Sequence, residues 1–461
     1  MTLIKSISGI RGTIGGKTGE SLSPVDVVKF TAAYGYWIAQ HSGKNKKIVV
    51  GRDGRMSGEM VRNLVVATLQ SLGLDVVDLG LSTTPTVEMA VKMEKAAGGI
   101  ILTASHNPKE WNALKLLNHE GEFISAEDGK ALLDIAAEES FKFAEVTKLG
   151  KVKQDDTYLD KHIKAILDHE LVDVEAIRKR NFRIAIDAVN STGAIAVPEL
   201  LKALGVAEVK VLFGEVTGKF EHNPEPLPEN LRDLSNELAK NNYDLGIAVD
   251  PDVDRLCFVC EDGSMFGEEY TLVAVADYIL GHKKGNTVSN MSSTRALRDV
   301  TEKHGGQYYP SAVGEVNVVT RMKAVNAVIG GEGNGGIIVP ELHYGRDALI
   351  GIALFLTHLA KSKKTISQLR RTYPDYYISK NKIELEPQIN VTKIFAGIQD
   401  RYKKNPINTE DGLKIEFEND WVHLRTSNTE PIIRIYAESS SETTANNIAK
   451  RLMQDIKELL N

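Results

Sequence analysis

The chain has 461 residues, 42% hydrophobic and 26% charged, enough to bury several cores across about two to four domains. A net charge of -6 gives no global attraction to nucleic acid or to acidic membranes, so any anion site has to be built locally. No run approaches roughly eighteen uninterrupted apolar residues, and the opening MTLIKSISGIRG lacks a long apolar stretch, which together imply a cytoplasmic protein with no membrane or nucleic-acid partner.

From the N-terminus, KKIVV (46–50), LDVVDLG (74–80) and GGIILT (98–103) read as buried strands. GEMVRNLVVATLQSLG between the first two reads as a helix with Met60, Val61, Leu64, Val65 and Leu69 on its apolar face. The segment GRDGRMSG (51–58) leaves one strand and opens that helix, so Ser57 is a candidate N-cap, with Arg52 and Arg55 free to reach a phosphate or another loop. ILTASHNPKEWNALKLL (101–117) then sets Ser105 just beyond a strand's carboxyl end, with Lys115 ten residues later.

The cadence of strand, turn and amphipathic helix restarts at FRIAID (182–187), continues through VKVLF (209–213) and reaches LGIAVD (245–250), which runs into PDVDR. It starts a third time at CFVC (257–260), passes NTVSN (286–290) and ends at NAVIGGEGNGG (326–336). After Tyr377 the pattern changes to NKIELE, a short helix, LKIEFE, WVHLR, PIIRIYAES and a final helix, a smaller α+β domain.

The fold class is therefore α/β: three similar α/β domains with mixed, largely parallel sheets plus a C-terminal α+β domain. The boundaries fall at 1–152, 153–255, 256–370 and 371–461, with linkers near 148–156, around Asp254 and at RRTYPDYY (370–377). Ligands of such folds bind at the carboxyl edge of the sheet, so the loops after the strands are the places to look.

Four of those loops carry chemistry. Asp250, Asp252 and Asp254 sit at alternate positions, and a period of two puts three oxygen donors on one side, suited to a hard divalent ion such as Mg²⁺. RTSNTEPIIR (425–434) offers hydroxyls, an amide, Arg425 and Arg434, which fit a phosphate, although such loops are also common turns. In GGEGNGG (330–336), Glu332 and Asn334 can hydrogen-bond the hydroxyls of a polyol. Ser105 by itself suits a cap or a turn; beside a carboxylate cluster that holds a metal, and with Lys115 to move a proton, it suits phosphoryl transfer through a seryl phosphate. The two cysteines, Cys257 and Cys260, lie three apart on a strand and so face opposite sides, as buried thiols rather than a redox or zinc pair.

SGIRG, TASHNP, DPDVDR and RTSNTEP, in this order and spanning essentially the whole chain, resemble the α-D-phosphohexomutase superfamily of phosphoglucomutases, phosphomannomutases and phosphoglucosamine mutases. The resemblance implies a heart-shaped protein around a central cleft, with Ser105 phosphorylated in the active enzyme and Mg²⁺ held by Asp250, Asp252, Asp254 and a seryl-phosphate oxygen. It places Arg11, Lys115 and Arg255 near the transferring phosphoryl group, with Lys115 as general acid/base and His106 as the second candidate. Glu332 and Asn334 fall in its sugar loop, and Arg425, Ser427, Asn428, Thr429 and Arg434 at the phosphate that does not react.

The implied activity is interconversion of hexose 6-phosphate and hexose 1-phosphate through a bisphosphorylated sugar, with a hexose bisphosphate as activator that phosphorylates Ser105 and a monomer or homodimer as the assembly. GEGNGG stands where many members read GEMS, and Glu315 stands where some bispecific members carry a histidine. The VGE run (313–315) and the SGIRG start lean towards phosphoglucosamine, with phosphoglucose or phosphomannose as the alternative and Mg²⁺-dependent phosphomonoester hydrolysis as a reading of another class.

Overall fold

The computed structural model describes residues 2–6, 9–385, 390–426 and 432–460. They form two compact units, Met1–Tyr278 with Asn334–Arg370, and Ile279–Gly333 with Arg371–Asn461. Among the described residues no helix is long and apolar enough to cross a membrane.

The first unit holds two sheets. Strands β1 (Leu3–Ser6), β2 (Gly9–Thr13), β3 (Lys47–Arg52), β4 (Asp75–Leu81), β5 (Gly98–Leu102), β6 (Trp111–Leu117) and β7 (Val152–Gln154) are ordered β1-β2-β6-β5-β3-β4-β7. β3, β4, β5 and β7 run parallel, whereas β6 returns antiparallel beside β5 and pairs with β2. Ile48, Val50, Ile100, Leu114 and Leu116 pack beneath the helices Pro24–His41 and Gly58–Ser71, while Val49, Val77 and Ile101 pack on the opposite face under Thr84–Met93. A sheet covered on both faces needs the continuous apolar runs that made these strands legible. Met60, expected on the apolar face of its helix, is exposed; Val66 is buried there instead.

The second sheet has the order β11-β10-β8-β9, built from β8 (Arg183–Asp187), β9 (Glu208–Leu212), β10 (Leu245–Val249) and β11 (Leu256–Cys260). The CFVC run, expected to begin the third block, is thus the antiparallel edge strand of the second sheet, registered Leu245 to Cys260 and Val249 to Leu256. Both thiols are free and buried, and burial pushes their pKa values up. Phe258 stacks on Phe355 at 3.8 Å between ring centroids, with Phe266 edge-on, which anchors helix Ala348–Ser362 to β11. The stretch expected as a linker at 148–156 contains β7, a paired edge strand.

In the second unit, β12 (Asn286–Asn290) lies between the parallel strands β13 (Tyr308–Ser311) and β14 (Ala327–Glu332). A separate antiparallel sheet of Tyr377–Glu384, Ile432–Ser439, Trp421–Thr426, Leu413–Glu416 and Ile407–Asn408, in that spatial order, packs on helices Val391–Arg401 and Glu442–Leu460.

One buried contact clamps the strands on either side of the serine loop. The Tyr34 hydroxyl, on helix Pro24–His41, donates to the carbonyls of Gly99 on β5 and Leu117 on β6 at 3.1 and 2.7 Å. Tyr34→Phe is expected to lower the free energy of unfolding by about 1–2 kcal/mol with the fold retained, as measured by urea denaturation.

Candidate active site

Ser105 lies in the turn between β5 and β6, with its backbone in the left-handed region at φ 48°. A non-glycine residue held there costs about 1–3 kcal/mol and needs its surroundings to hold it. Those surroundings are explicit. The Ser105 N–H donates to Thr103 Oγ1 at 2.9 Å, and the Thr103 hydroxyl donates to Asp53 at 2.6 Å. Arg55 pairs with the same carboxylate at 3.0 Å and donates to the carbonyls of Ser105, Asn107, Pro108 and Trp111 at 2.5 to 2.8 Å. One guanidinium thereby ties down the whole turn, the inter-loop role its place after β3 allowed. Ser57 stands at the start of helix Gly58–Ser71 but does not cap it; its hydroxyl accepts from Asn112 at 2.9 Å.

Turned in this way, the Ser105 hydroxyl donates to Asp250 Oδ2 at 2.7 Å. Asp250, Asp252 and Asp254 are all fully buried and bring one carboxylate oxygen each within 4.8 Å of the others. Strand alternation does not achieve this, because β10 ends at Val249. The chain turns instead, with Val253 at φ 62° and Asp250 Oδ1 accepting from the backbone N–H groups of Asp254 and Arg255 at 3.2 and 3.1 Å.

Burial and the neighbouring Asp252 and Asp254 push the Asp250 carboxyl well above its usual range. For Asp254 burial acts in the same sense but is outweighed by Arg346, Lys115 and Arg255, which hold it low. Lys115 Nζ, on β6, is 2.7 Å from Asp252 Oδ2 and 3.3 Å from Asp254 Oδ2. Burial works against its charge, but the two carboxylates prevail and keep it protonated. His106 is held well below its usual value by burial and by Arg255 and Arg11, so it is neutral, with a buried Nδ1 that has no hydrogen-bond partner among the described residues.

Asp252 Oδ1 and Asp254 Oδ1 are likewise buried without a hydrogen-bond partner. Bare carboxylate oxygens in a dry site are costly unless a cation meets them, and an all-oxygen donor set suits Mg²⁺.

The family comparisons agree with this geometry. Models of the phosphoglucomutase/phosphomannomutase α/β/α domains I, II and III match residues 3–143, 157–263 and 267–377, and the C-terminal domain model matches 384–454. The chain is 35% identical over 440 residues to the phosphoglucomutase/phosphomannomutase of Thermococcus kodakarensis, covering 94% of this chain and 95% of that one. The chain belongs to this phosphohexomutase family. It is accordingly an isomerase of the intramolecular phosphotransferase class. It is also 33% identical to a phosphoglucosamine/phosphogalactosamine mutase of Sulfurisphaera tokodaii, over 97% of this chain and 98% of the relative. A crystal structure of a phosphoglucomutase/phosphomannomutase family protein from Burkholderia thailandensis superposes with a TM-score of 0.85 at 25% identity, covering 99% of this chain and 97% of that one.

Within this phosphohexomutase, Arg11 on β2 donates to Asn107 Oδ1 at 3.2 Å, and Arg255 pairs with Glu225 at 2.8 Å. Asn334 Oδ1 accepts from the Gly336 N–H at 3.1 Å. In the other unit, Glu332 ends β14, where its Oε1 accepts from Asn290 at 2.8 Å and from the Gly314 N–H at 3.0 Å. Arg425 lies 3.2 Å from Asp411 and faces Arg434 across paired strands. Ser427, Asn428 and Thr429 lie outside the described residues.

Three supports of the acidic loop escaped sequence reasoning. The Thr84 hydroxyl donates to Asp252 at 2.5 Å, and its N–H to the Asp252 carbonyl at 2.8 Å. Arg346 donates to Asp254 at 2.8 Å. The backbone of Ala348 donates to the Val253 carbonyl at 3.2 Å. None belongs to a motif. The one available signal was that three crowded carboxylates need cations from somewhere.

Arg55→Lys keeps the charge but loses the five-donor fork. Steady-state kinetics are expected to show kcat at least about tenfold lower, equivalent to about 1.4 kcal/mol, with KM less affected.

Proposed function

We propose that this phosphohexomutase interconverts hexose 6-phosphate and hexose 1-phosphate through a phosphoserine at Ser105, with glucosamine phosphate as its preferred substrate. The observation that carries the mechanism is the Ser105 hydroxyl, 2.7 Å from Asp250 in a turn held by Arg55, beside carboxylates that keep two buried oxygens bare.

Transfer from phospho-Ser105 breaks the bond between its Oγ and phosphorus and forms a bond from phosphorus to a sugar hydroxyl, whose proton passes to a neutral base such as His106 while the serine oxygen takes up a proton. Lys115, held charged by Asp252 and Asp254, suits protonation of the departing serine oxygen and recovery of that proton in the reverse direction. Neutral His106, with an open Nδ1, is the second candidate for moving a proton. Arg11 and Arg255 add positive charge facing the phosphoryl oxygens. Asp250, Asp252, Asp254 and an oxygen of phosphorylated Ser105 would hold Mg²⁺, which when bound offsets charge on the transferring group.

The product of the first transfer is a bisphosphorylated sugar. It turns over and returns its other phosphate to Ser105, so a second phosphate position is required. Arg425 and Arg434, with Ser427, Asn428 and Thr429, suit that role. A hexose bisphosphate from solution primes the enzyme by the same chemistry. The choice of sugar rests on the Sulfurisphaera tokodaii relative, named for amino-sugar phosphates, and on the carboxylates of Glu332 and Glu315, either of which suits a 2-ammonium group.

With a catalytic amount of hexose bisphosphate, glucosamine 6-phosphate is expected to be turned over with a higher kcat/KM than glucose 6-phosphate or mannose 6-phosphate; the reverse order would reject the sugar assignment. Ser105→Ala is expected to abolish isomerisation, and intact-mass spectrometry to find one phosphate on the parent and none on the variant. Isomerisation by Ser105→Ala, or phosphate release outpacing it in the parent, would overturn the mechanism.

Chelation is expected to remove activity and Mg²⁺ to restore it. Asp252→Asn, which loses one charged ligand, is expected to raise the Mg²⁺ concentration for half-maximal activity by about tenfold or more in a metal titration.

A further inference from the structure

A second cluster of side chains able to ligate a metal lies in the first unit, outside the acidic loop described above. Asp347 Oδ2 is 2.8 Å from His162 Nε2 and 3.1 Å from His343 Nε2. The two imidazoles meet edge to face, at 85°. We propose that His162, His343 and Asp347 bind a divalent transition-metal ion of the zinc type, with a water as fourth ligand.

The spacing is that of a ligand set. Around a tetrahedral zinc with bonds of about 2.0–2.1 Å, neighbouring donor atoms stand about 3.3 Å apart. The two imidazole–carboxylate separations, 2.8 and 3.1 Å, are somewhat shorter than that, and all three donor atoms lie within 4.8 Å of one another; two imidazoles and one carboxylate are a donor set that zinc favours over magnesium.

The outer contacts are those that orient metal ligands. His162 Nδ1 is 2.9 Å from the Thr86 hydroxyl, and Glu88 Oε2 approaches His343 Nδ1 to 3.4 Å, an ion-pair contact rather than a hydrogen bond. Asp347 Oδ1 accepts from the N–H groups of Leu349 and Ile350 at 2.8 and 3.3 Å, which fixes the carboxylate while it caps helix Ala348–Ser362. A ring nitrogen anchored to a carboxylate or hydroxyl leaves the other nitrogen aimed at a metal.

The site is closed: His162 and Asp347 have no exposed surface, and Glu88 and His343 retain 1% and 4%. Gly345 permits the closure, because a Cβ there would come within 1.9 Å of Glu88 Oε2. Such a site is a staple rather than a second reaction centre. It joins helix Thr84–Met93, helix Tyr158–Leu167 and the segment 343–347. The first carries Thr84, bonded to Asp252, and the last carries Arg346, bonded to Asp254. The ion would thus hold two supports of the acidic loop in place.

The test uses the full chain, stripped with a chelator and dialysed against zinc in excess Mg²⁺, so that the acidic loop is not free to take zinc. Mass spectrometric metal analysis is expected to find about one zinc per chain, and a Co²⁺-loaded sample to show the intense visible absorption of a four-coordinate ion with nitrogen ligands. His343→Gln and Asp347→Asn, checked for folding by circular dichroism, are expected to lose zinc at least about tenfold and to lose the cobalt spectrum. The proposal is overturned if the parent retains no zinc, if the folded variants retain it equally, or if cobalt gives only the weak spectrum of six oxygen ligands. The cobalt spectrum of the parent decides the matter even where a variant fails to fold.

Discussion

Three carboxylates buried at one strand end are the constraint around which the first unit is arranged. Charges removed from water are tolerated only where they are paired, and Asp250, Asp252 and Asp254 draw their partners from distant parts of the chain: Lys115 from β6, Arg346 from the segment before a helix, and Thr84 from a helix N-terminus. These partners still leave one oxygen each on Asp252 and Asp254 without a hydrogen bond, and they leave Asp250 favouring its proton. The loop is built with an unfilled demand for positive charge. An acidic triad of this kind suits a divalent ion, whose charge would meet that demand.

The serine turn solves a complementary problem. A serine proposed as nucleophile has to be held in one direction, and the left-handed backbone at Ser105 achieves the direction at a local cost. Arg55, paired with buried Asp53, holds that conformation through backbone carbonyls, and Asp53 holds it through the Thr103 hydroxyl that receives the Ser105 N–H. The Arg55 contacts to the carbonyls of Asn107 and Pro108 do not depend on the side chains at those two positions.

Much of this was legible before the fold was known. The apolar β-branched runs at 46–50, 98–103, 182–187 and 245–250 all became strands, because sheets covered on both faces need uninterrupted hydrophobic sequence. What escaped was pairing. β6 mixes Lys115 and Asn112 with its apolar residues, so it did not stand out as a strand; its return beside β5 is what brings Lys115 to the acidic loop. CFVC has the composition of a strand but no mark of the sheet it joins, and it joined the second rather than the third. The residues at 148–156 looked like a linker because a short edge strand needs few apolar side chains; the three residues of this one, only Val152 of them apolar, are all exposed.

The sequence by itself determined the chemical inventory. A serine after one strand, three aspartates after another, a lysine in reach and arginines for phosphate specify phosphoryl transfer, because few other reactions need those groups together. The tertiary structure alone decided how they meet. The aspartates converge through a turn with Val253 in the left-handed region, not through the pleat of a strand. Arg55, Thr84 and Arg346 enter the site, and His162, His343 and Asp347 gather beside it, from positions between 50 and 350 that no local pattern connects. Periodicity reports what a residue needs from its nearest neighbours in the chain. Charge compensation and coordination are settled between segments far apart in sequence, where only the packed fold sets the distance.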